Sequence, residues 1–599
     1  MNRRAVLKYA GFSAVAAAIA EVSEQGAFAH PALLSAQDVP SPLRFAFNQV
    51  GYLPRADKVA SLSVQDHGDQ SFQIVPEGTP AAVPGQSGSA VFRGALSSPI
   101  LDAASGDRVA RADFSGLVAP GTYRLVTQGQ RSEPFSINGE VYREPLRLSM
   151  RAFYGQRCGC PVDLGGGYRH PACHLSGAYH PSSGRKGPVE NRGGWHDAGD
   201  YGRYIVNSGI TMGTLLWAWE LYPQVLRNLS LDFPQSIPQY AVKPPDYLAE
   251  VRWNLEWMLS LQDEDGGVWH KQTSEQFCGF VMPEHDDLTS YIIGTGASPY
   301  KSTCATADLA AVMAIAARCY SDYDASFSVR CLAAAKRAWN WAVAHPDVTF
   351  TNNPPGVGTG EYEDAHCQDE IFWASAELWR TTGERQYEQA FLDGVAAQPP
   401  ESAIKAPYWV FVAPMAYWTY ALADRKGSEP LKDRIHKQTA KAAQDLVDRR
   451  NLSGYGNTLA LIDYTWGSNS VAANQSLLLL IADHFQREPA AVEAALGNLH
   501  YVLGRNCFGV SWVTQVGTNP FQHPHHRPSA ADGIPAPWPG LMSGGPNAHP
   551  GDEAPKTLTK LPPMRMWIDD QRAYSLNEVA INWNAPLVFL LAGANAQTI

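Results

Sequence analysis

Two carboxylates, Asp197 and Asp200, stand three residues apart in the stretch GGWHDAGDYGRY at positions 193–204. Glycine and aromatic residues surround them, so the stretch is typical of a turn rather than of a hydrophobic core. Two like charges this close repel each other unless a shared partner stabilises them. The pair is therefore a candidate for acid–base chemistry, and ordinary turn residues are the alternative interpretation.

A third acidic residue, Glu578, stands near the end of the chain beside apolar residues such as Leu576 and Val579. The pattern predicts that it opens an apolar helix, where the helix dipole favours a carboxylate. Apolar neighbours would desolvate it and raise its pKa, as a general acid at neutral pH requires. One carboxylate base and one carboxylic acid meet the requirement of glycoside hydrolysis. A simple helix cap is the alternative for Glu578.

The elements that must position these residues fall into two parts. From position 42 to 138, short stretches alternate apolar and polar residues between Gly, Pro and Asp, which predicts an all-β immunoglobulin-like sandwich. From 142 to 597, apolar residues recur at three- and four-residue spacing, which predicts one large all-α domain with functional loops at one end. The first part offers no group suited to chemistry, so we interpret it as a packing or spacer module.

The composition narrows the function classes. The 599-residue chain has a net charge of -11 and no run of Lys or Arg beyond its start, which argues against nucleic-acid or anionic-membrane partners. Its 17 Trp and 25 Tyr suit a packed core, and such an excess also suits stacking on sugar rings. No later segment is apolar over about 18 residues, so we expect no membrane span in the mature protein. We also expect a monomer.

The first 29 residues are typical of a twin-arginine export signal. Arg3 and Arg4 precede a modest apolar stretch at 10–20, and the residues AFA at 27–29 supply a small-residue cleavage site. We therefore expect a periplasmic or secreted protein. A disordered basic start on a cytoplasmic protein is the alternative.

Three segments carry a resemblance to one enzyme family. GGWHDAGDYGRY at 193–204, TQVGTNPFQHPHHRP at 514–528 and WIDDQRAYSLNEVAINWNA at 567–585 resemble signatures of glycoside hydrolase family nine, and they follow that family's order. NQVGYLPRADKVA at 48–60 and ADFSGLVAPGTYRLV at 112–126 resemble the immunoglobulin-like module that precedes the catalytic domain in one branch of the family. The similarity covers nearly the whole mature chain.

The resemblance implies an (α/α)6 barrel with an open cleft at one end, which hydrolyses β-1,4-linked glucans with inversion. By position, Asp200 becomes the general base that activates water, Asp197 helps to hold that water, and Glu578 becomes the general acid. Inversion requires the acid and base carboxyls to stand roughly 6.5 to 9.5 Å apart, so that a water molecule fits. The two aspartates would then tolerate each other because they share one water.

Four further residues are candidates for the surroundings of the sugar, and three of them match that family. His525 and Arg527 match its His-x-Arg contact near the cleavage point, and Asp569 matches a supporting acidic residue. Tyr574, one helical turn before the predicted general acid, is a further candidate sugar contact. The resemblance therefore implies that His525, Arg527 and Asp569 lie near the sugar, and the position of Tyr574 adds it as a candidate.

A second group of residues suits a metal. Nine Cys is an odd number, so disulfides alone cannot account for all of them. Two thiols and two imidazoles come from Cys158, Cys173, His174 and His196. This is the ligand set of a closed tetrahedral zinc site, and the matching positions bind zinc in the immunoglobulin-bearing branch. Such a zinc would be structural and would clamp the turn that holds the two aspartates. Cys160 is a competing ligand, and a Cys158–Cys173 disulfide is the alternative.

Calcium is a further candidate cofactor. In GEYEDAHCQDEIFW at 360–373, Asp369 and Glu370 stand where family members hold a calcium ion together with loop carbonyls. Hard oxygen ligands suit that ion. A capped and hydrated helix start is the alternative for this pair.

Secreted endo-β-1,4-glucanase activity is the leading hypothesis from the sequence. Exo action by the same fold, as a cellobiohydrolase or an exo-β-glucosaminidase, is the first alternative, and the loop FCGFVMPEHDD at 277–287 could block the cleft. A zinc hydrolase is a second alternative, but it would need an open coordination position, and the four matching ligands leave none. A carbohydrate-binding protein without activity is a third alternative, but it would lack a carboxylate, and all three carboxylates are present. No cellulose-binding module follows the last predicted helix, so we expect soluble or amorphous glucans and oligosaccharides as substrates.

Overall fold

The computed structural model describes residues 44–64, 70–78, 90–190, 193–234, 244–558 and 560–598. The predicted export signal at 1–29 lies outside these residues. All of the described residues belong to one compact unit, so the strands and the helices can be described together.

Short strands build the first part of this unit. They are β1 (Arg44–Ala46), β2 (Gly51–Tyr52), β3 (Val59–Ser63), β4 (Ser71–Pro76), β5 (Phe92–Ala95), β6 (Ile100–Leu101), β7 (Arg108–Asp113), β8 (Gly121–Thr127), β9 (Gln130–Arg131) and β10 (Phe135–Ile137). One sheet has the order β1-β3-β7-β6, and the other has the order β2-β10-β8-β4-β5 with β9 beside β8. These two sheets form the predicted immunoglobulin-like sandwich.

The sandwich core follows from the alternation in the strands. In β8, every second side chain from Tyr123 onward is buried, as expected for a strand with one face toward a core. Tyr52 packs edge-on against Phe114 and Phe135, with ring centroids 5.3 and 5.7 Å apart. Aromatic packing between the two sheets therefore stabilises this part of the chain.

Helices dominate the second part. They are α1 (Arg143–Gly155), α2 (Ile205–Leu221), α3 (Pro223–Leu226), α4 (Asp246–Ser260), α5 (Thr303–Tyr320), α6 (Ala325–Ala344), α7 (Gln368–Thr382), α8 (Arg385–Ala397), α9 (Pro400–Ala403), α10 (Ala413–Ala421), α11 (Glu429–Leu452), α12 (Ser468–Phe485), α13 (Pro489–Val502), α14 (Arg527–Ala531), α15 (Tyr574–Asn577) and α16 (Ile581–Ala596). Short 3-10 turns cover Pro181–Ser183, Pro283–His285, Leu461–Asp463, Ala554–Thr557 and Pro563–Arg565.

The long helices divide into a buried set and a surface set. Nearly every residue of α2, α5 and α16 is buried, as expected for helices that are apolar on all sides. α6, α8 and α11 bury only one face. Among the buried helices, α2 packs on α5 and α16, α5 packs on α7, α7 packs on α10, and α12 packs on α16. The helices thus form an inner layer surrounded by an outer one.

A small sheet interrupts the predicted run of helices. Its strands are β13 (Ser176–Tyr179), β14 (Pro188–Glu190), β15 (Arg203–Tyr204), β16 (Lys271–Thr273) and β17 (Ser290–Ile293), and a separate pair is β11 (Val162–Asp163) with β12 (Arg169–His170). These strands were not predicted, because strands of two to four residues are too short to carry a period-two pattern. The order β14-β13-β17-β16-β15 brings distant loops to one end of the helices.

The sandwich packs directly on the helical part through buried polar contacts. The Asn48 amide lies 2.9 Å from His500 Nδ1 in α13. The Ser61 hydroxyl donates to the Gly454 carbonyl (2.8 Å), and the Gly454 N–H donates to Asp102 Oδ2 (2.8 Å). Because buried polar groups are costly to leave unpaired, these bonds fix one orientation of the two parts.

A disulfide joins Cys304, in the first turn of α5, to Cys367, which precedes α7. This pair was not predicted, since the two cysteines are 63 positions apart in the sequence. The other cysteines are free thiols, so the alternative disulfide between Cys158 and Cys173 is not formed. The bridge ties together the ends of two buried helices and restricts the unfolded chain.

In the described part of the chain, no helix combines the length and the apolar character that crossing a membrane requires.

Candidate active site

The turn that contains Asp197 and Asp200 leads into β15 and α2. The Asp197 N–H donates to the Gly202 carbonyl (2.9 Å), and the Gly202 N–H donates to Asp200 Oδ2 (3.0 Å). Gly194, at φ +79°, precedes the turn, and a side chain there would meet the Trp257 ring at 2.7 Å. Glycine therefore allows the chain to fold closely around two carboxyl groups.

Asp197 is almost fully buried, and both of its oxygens accept hydrogen bonds. Asn207, in the first turn of α2, donates to Oδ1, and the Tyr362 hydroxyl donates to Oδ2 (2.5 Å). Burial and the nearby charge of Asp200 raise the pKa of Asp197 to about 7, although these two donors lower it. Near neutral pH, the Asp197 carboxyl is therefore close to its own titration point.

Asp200 keeps one oxygen available for a ligand. The Gly202 N–H and the Tyr204 hydroxyl both donate to its Oδ2, at 3.0 and 3.3 Å. Asp200 is 7% exposed, whereas Asp197 is 1% exposed, so Asp200 is the aspartate closer to solvent. A carboxylate held through one oxygen can accept a further bond from water through the other.

Glu578 lies in an extended segment between α15 and α16. The prediction that it opens an apolar helix is wrong, because α16 begins only at Ile581. Its N–H donates to the Tyr574 carbonyl (3.1 Å), and its own carbonyl accepts from the Gly544 N–H (2.8 Å). These backbone bonds, and not a helix dipole, hold Glu578 in place.

The carboxyl group of Glu578 has a strongly raised pKa. Burial is the largest cause, and the charges of Asp200 and Asp197 add to it, while Arg527 and the Gly199 N–H act in the opposite direction. The influence of both aspartates implies that the three carboxyl groups lie near one another. Such a group keeps its proton at pH values where an exposed glutamate has lost it.

Backbone hydrogen bonds join the three motif segments. The Ile581 N–H donates to the Asp197 carbonyl (2.8 Å), and the Arg527 N–H donates to the Gly199 carbonyl (3.1 Å). A side chain at Gly199 would lie 1.9 Å from the His525 carbonyl oxygen, so only glycine fits there. Asp197, Asp200 and Glu578 are therefore brought together although they come from opposite ends of the helical part.

His525 and Arg527 lie beside these carboxyl groups, but Arg527 has a second role. The His525 Nδ1 lies 2.7 Å from the Gln571 carbonyl, so this nitrogen carries the proton and Nε2 can accept a bond. Burial lowers the pKa of His525 to about 4. Arg527 donates to the Cys278 carbonyl (3.0 and 3.1 Å) and to the Gly199 carbonyl (2.8 Å). It thus fastens the 277–287 loop to the aspartate turn.

Asp569 and Tyr574 occupy different positions at the rim. Asp569 accepts hydrogen bonds from the N–H groups of Gln522 and His523, both at 2.8 Å, so it holds the loop that leads to His525. Tyr574 is 36% exposed, and its ring centroid lies 5.5 Å from that of the exposed Trp466. Tyr574 is therefore placed to contact a ligand, whereas the contacts of Asp569 within the protein support the loop.

Three polar side chains of this site were not predicted. They are Tyr204, Asn207 and Tyr362, the donors to the two aspartates. Tyr204 and Asn207 follow the aspartate turn directly, so proximity was a usable signal for them. Tyr362 carries no such signal, because a single tyrosine in a polar loop has no diagnostic spacing.

The predicted zinc ligands come together next to the aspartate turn. The thiol sulfurs of Cys158 and Cys173 and ring nitrogens of His174 and His196 all lie within 4.8 Å of one another. Cys160 does not belong to this cluster, and burial raises the pKa of its thiol to about 12. Of the two competing cysteines, the structure thus favours Cys158.

The surroundings of His174 fit a metal. Its Nε2 lies 3.2 Å from Asp286 Oδ2, while its buried Nδ1 has no hydrogen-bond partner in the described part of the chain. His196 Nε2 lies 3.9 Å from the Cys173 sulfur. A carboxylate behind a ligating histidine and two facing thiols match the chemistry of a closed zinc site.

The predicted calcium residues, Asp369 and Glu370, belong to a larger buried cluster. They lie in the first turn of α7, and Asp308 of α5 and Asp364 join them. Burial raises the pKa of all four, and the charge of Asp369 adds to the rise at Asp308 and Glu370. Asp308 was not predicted, because its helix is otherwise rich in alanine and apolar residues.

Most oxygens of this cluster have no hydrogen-bond partner. Among the described residues, none donates to either oxygen of Asp308, to either oxygen of Glu370 or to Asp364 Oδ2. Asp369 Oδ2 accepts from the Val412 N–H (2.8 Å). Buried carboxylate oxygens without donors require protons or a cation, and a set made only of oxygens suits calcium.

Comparison with known proteins identifies the family of this chain. Residues 142–591 match the family model "Glycosyl hydrolase family 9", and residues 42–132 match "Cellulase N-terminal ig-like domain". Endoglucanase D of Acetivibrio thermocellus is 35% identical over 559 residues, which is 92% of this chain and 83% of that protein. A cellodextrinase of Butyrivibrio fibrisolvens is 34% identical over 91% of this chain and 98% of its own length.

A solved structure of the same family is also similar to this chain. The crystal structure of a Zn-binding triple mutant of the family 9 endoglucanase J30 has a TM-score of 0.84 and 33% identity, covering 90% of this chain and 99% of that one. This confirms the resemblance that the three motifs suggested. The chain belongs to glycosyl hydrolase family 9 and is a glycoside hydrolase with an N-terminal immunoglobulin-like domain.

Proposed function

We propose that this enzyme cleaves β-1,4-linked glucans within the chain, as an endoglucanase, with inversion at the anomeric carbon. The observation that carries the proposal is the convergence of Asp197, Asp200 and Glu578, which differ in burial and in hydrogen-bond partners. Three carboxyl groups in unlike environments can divide the roles of acid and base.

Glu578 is the proposed general acid. Its strongly raised pKa, due to burial and to the charges of Asp200 and Asp197, keeps the carboxyl protonated at pH values where an exposed glutamate has lost its proton. The proton passes to the glycosidic oxygen as the bond from the anomeric carbon to that oxygen breaks. Glu578 then carries the negative charge until solvent returns a proton.

Asp200 is the proposed general base, and Asp197 is its partner. A water molecule forms the new bond to the anomeric carbon and gives its proton to Asp200, whose Oδ2 is already held by the Gly202 N–H and the Tyr204 hydroxyl. Asp197 fixes the same water. Attack from the face opposite the leaving group inverts the configuration, so β-linked substrate gives α-anomeric product.

We also propose that the helices form an (α/α)6 barrel within a catalytic domain at 142–597, preceded by the sandwich at 42–138. Five helix contacts support this arrangement: α2 packs on α5, α5 on α7, α7 on α10, α12 on α16, and α16 returns to α2. The loops that carry the three motifs then lie together at one end, where the cleft opens.

β-1,4-Glucan is the proposed substrate. The names of the two relatives, endoglucanase D and cellodextrinase, indicate this class of substrate. His525 and Arg527 are proposed contacts to the sugar next to the scissile bond, Tyr574 is a proposed stacking contact, and Asp569 supports their loop. Exo action or trimming of short oligosaccharides is the second candidate. The 277–287 loop favours it, because Arg527 and the Tyr201 hydroxyl, which donates to the Val281 carbonyl (2.6 Å), hold that loop beside the site.

Cys158, Cys173, His174 and His196 are the proposed ligands of a structural zinc ion. With four protein ligands no position stays open for water, so bound zinc would supply rigidity and take no part in hydrolysis. His196 directly precedes Asp197, and the ion would therefore hold the aspartate turn. Asp369 and Glu370, together with Asp308 and Asp364, are the proposed ligands of calcium.

Export and a monomeric state remain proposals. The Cys304–Cys367 disulfide supports export, because disulfides form and persist in oxidising compartments. The twin-arginine signal at 1–29 lies outside the described residues.

Viscosity and reducing ends, measured together on carboxymethylcellulose, test the endo assignment. An endoglucanase lowers viscosity steeply while few reducing ends appear. Slow viscosity loss with steady release of one short product would instead support exo action. The Glu578→Gln variant is the matched control for contaminating activity.

A further inference from the structure

A buried ammonium group lies directly under the aspartate turn. Lys271, the first residue of β16, has no exposed surface. Its Nζ donates to Asn353 Oδ1 (2.6 Å), to the Gly360 carbonyl (2.6 Å) and to Thr359 Oγ1 (3.3 Å). Burial lowers the pKa of Lys271 to about 7, so holding this group inside the protein has a free-energy cost. A cost of this kind calls for a reason.

All three acceptors belong to a single loop. The Asp364 N–H donates to the Phe350 carbonyl (3.0 Å) and closes the ends of this loop, which we call the 351–363 loop. Inside it, the Asn353 amide donates to the Thr359 carbonyl (2.6 Å). Lys271 therefore acts as the centre around which the loop folds.

The 351–363 loop delivers Tyr362 to the active site. Tyr362 has φ +49°, a left-handed conformation that a residue with a side chain adopts at a cost and that surrounding contacts must maintain. Its hydroxyl donates to Asp197 Oδ2 (2.5 Å). Two residues before it, the Gly360 carbonyl accepts from Lys271, and the Glu361 carbonyl lies 2.9 Å from His270 Nε2. Lys271 and His270 thus hold the two residues that directly precede the strained Tyr362.

Lys271 also supports the other aspartate. In the pairing of β15 with β16, Lys271 lies opposite Tyr204, and its Nζ is 5.6 Å from the centre of the Tyr204 ring. The Tyr204 hydroxyl donates to Asp200 Oδ2 (3.3 Å), and the rings of Tyr204 and Tyr362 lie 4.6 Å apart. One ammonium group therefore lies behind both of the tyrosines that hold the aspartate pair.

We propose that Lys271 is a positioning residue of this enzyme: by holding the 351–363 loop through Asn353 and Gly360, it places the Tyr362 hydroxyl on Asp197 and so orients the carboxylates that bind the attacking water. The inference rests on the proposed function, in which these carboxylates activate water. Lys271 itself touches neither substrate nor the reacting atoms.

A double-mutant cycle tests this role. Lys271→Met keeps much of the side-chain volume but removes the ammonium group, and Tyr362→Phe removes only the hydroxyl. Each single change should lower kcat on cellotetraose by about tenfold or more while KM changes by less than about threefold. In the double variant, Lys271→Met should cost less than about threefold beyond Tyr362→Phe, because the hydroxyl through which Lys271 mainly acts is already absent.

Lys58→Met is the matched control. Lys58 is also fully buried, and its Nζ donates to the carbonyls of Pro54 and Ala56, but it lies in the sandwich. This variant should lose thermal stability and keep its kcat. An equal fall of kcat in Lys58→Met and Lys271→Met, or fully multiplicative losses in the double variant, would overturn the proposal.

Two further variants keep the test decisive. If Lys271→Met does not fold, Asn353→Ala removes one acceptor of the same ammonium group and should lower kcat with little change in KM; a folded Asn353→Ala with the wild-type kcat would overturn the proposal. Asp200→Asn is measured in parallel. If Asp200→Asn keeps full activity, the proposed function itself fails; if only the Lys271 and Asn353 variants keep full activity, the positioning role alone fails.

Discussion

Two groups of buried carboxyl groups in this protein resemble each other and differ in one respect. Asp197, Asp200 and Glu578 meet at the loop end of the helices, and a second cluster of Asp308, Asp364, Asp369 and Glu370 lies at the starts of α5 and α7. In both, residues distant in the sequence converge, and burial raises carboxyl pKa values. A raised pKa therefore does not by itself identify an active site here.

The difference lies in the hydrogen-bond donors. Neutral donors hold both oxygens of Asp197, and donors reach one oxygen of Asp200. In the second cluster, no described residue donates to the oxygens of Asp308 or Glu370. Donors that hold one side of a carboxylate orient it toward a reacting water, whereas a group of oxygens without donors suits a cation. We therefore propose that the supply of hydrogen-bond donors, rather than a raised pKa, distinguishes the aspartate pair of the proposed active site from the proposed cation site.

The largest effect should come from the acid and the base. Glu578→Gln should lower kcat on cellotetraose by roughly a hundredfold to ten-thousandfold, because proton donation is lost. On a cellobioside with a dinitrophenolate leaving group, which needs no proton, the same variant should keep most of its activity. Asp200→Asn should lose activity on both substrates, since water activation is needed for each. Equal losses of Glu578→Gln on both substrates would contradict the assignment of the acid.

A substitution in the Asp308, Asp364, Asp369 and Glu370 cluster should change the thermal stability of the protein and leave kcat nearly unchanged. Asp308→Asn should abolish the rise of the melting temperature that excess calcium gives the wild type, a rise worth about 2.7 kcal/mol when calcium is a hundredfold above its Kd. Calorimetry with calcium and with a chelator measures this, and kcat at a temperature well below unfolding should stay within about twofold. If Asp308→Asn melts higher than the wild type in calcium, only like-charge repulsion has been relieved and the cation proposal is wrong.

The Cys/His cluster extends the comparison to softer ligands. Asp286 contacts His174 Nε2 and so orients the other ring nitrogen. Asp286→Asn should weaken zinc binding by roughly 10- to 100-fold, measured by competition with a chromophoric chelator. Asp324→Asn, at the N-cap of the surface helix α6, is a control that should leave zinc affinity unchanged. An unchanged affinity in Asp286→Asn would argue that the cluster is not a zinc site of this kind.

The smallest effect concerns pH. The positive charge of Arg527 lowers the pKa of Glu578, against the larger effects of burial and of the two aspartates. Arg527→Met removes this charge and raises the pKa of Glu578 further. The acid then stays protonated to higher pH, and the alkaline limb of the pH profile of kcat shifts to higher pH. Arg527→Lys keeps the charge and should leave the limb near its wild-type position. If the alkaline limb instead shifts to lower pH in Arg527→Met, Glu578 is not the group whose titration causes that limb.

Much of the site could be predicted from local sequence. Residue types and spacing made the two aspartates, Glu578 and the Cys/His group candidates, and the resemblance of the motifs to a known family assigned their predicted roles. The position of Glu578 relative to its helix was predicted wrongly, because the apolar residues after it continue into α16 without a visible break. Boundaries depend on backbone bonds, such as that from Gly544 to Glu578, which no local pattern shows.

The remaining features depend on contacts between distant segments. Asp308 lies within an alanine-rich helix. It becomes a candidate ligand only because α7 places Asp369 and Glu370 beside it. Both α5 and α6 lie between Lys271 and Tyr362 in the sequence, and the two residues come together because the 351–363 loop folds back on β16. The Cys304–Cys367 pair is likewise formed by helix packing. Such relations are properties of the tertiary structure.

Product configuration tests the central claim most directly. Proton NMR during the first minutes of cellotetraose hydrolysis distinguishes the α- from the β-anomer of the newly formed reducing end before they equilibrate. Inverting hydrolysis, with Asp200 activating water and Glu578 donating the proton, predicts the α-anomer first. Initial release of the β-anomer would mean that an enzyme carboxylate attacks the sugar, and it would contradict the assigned mechanism.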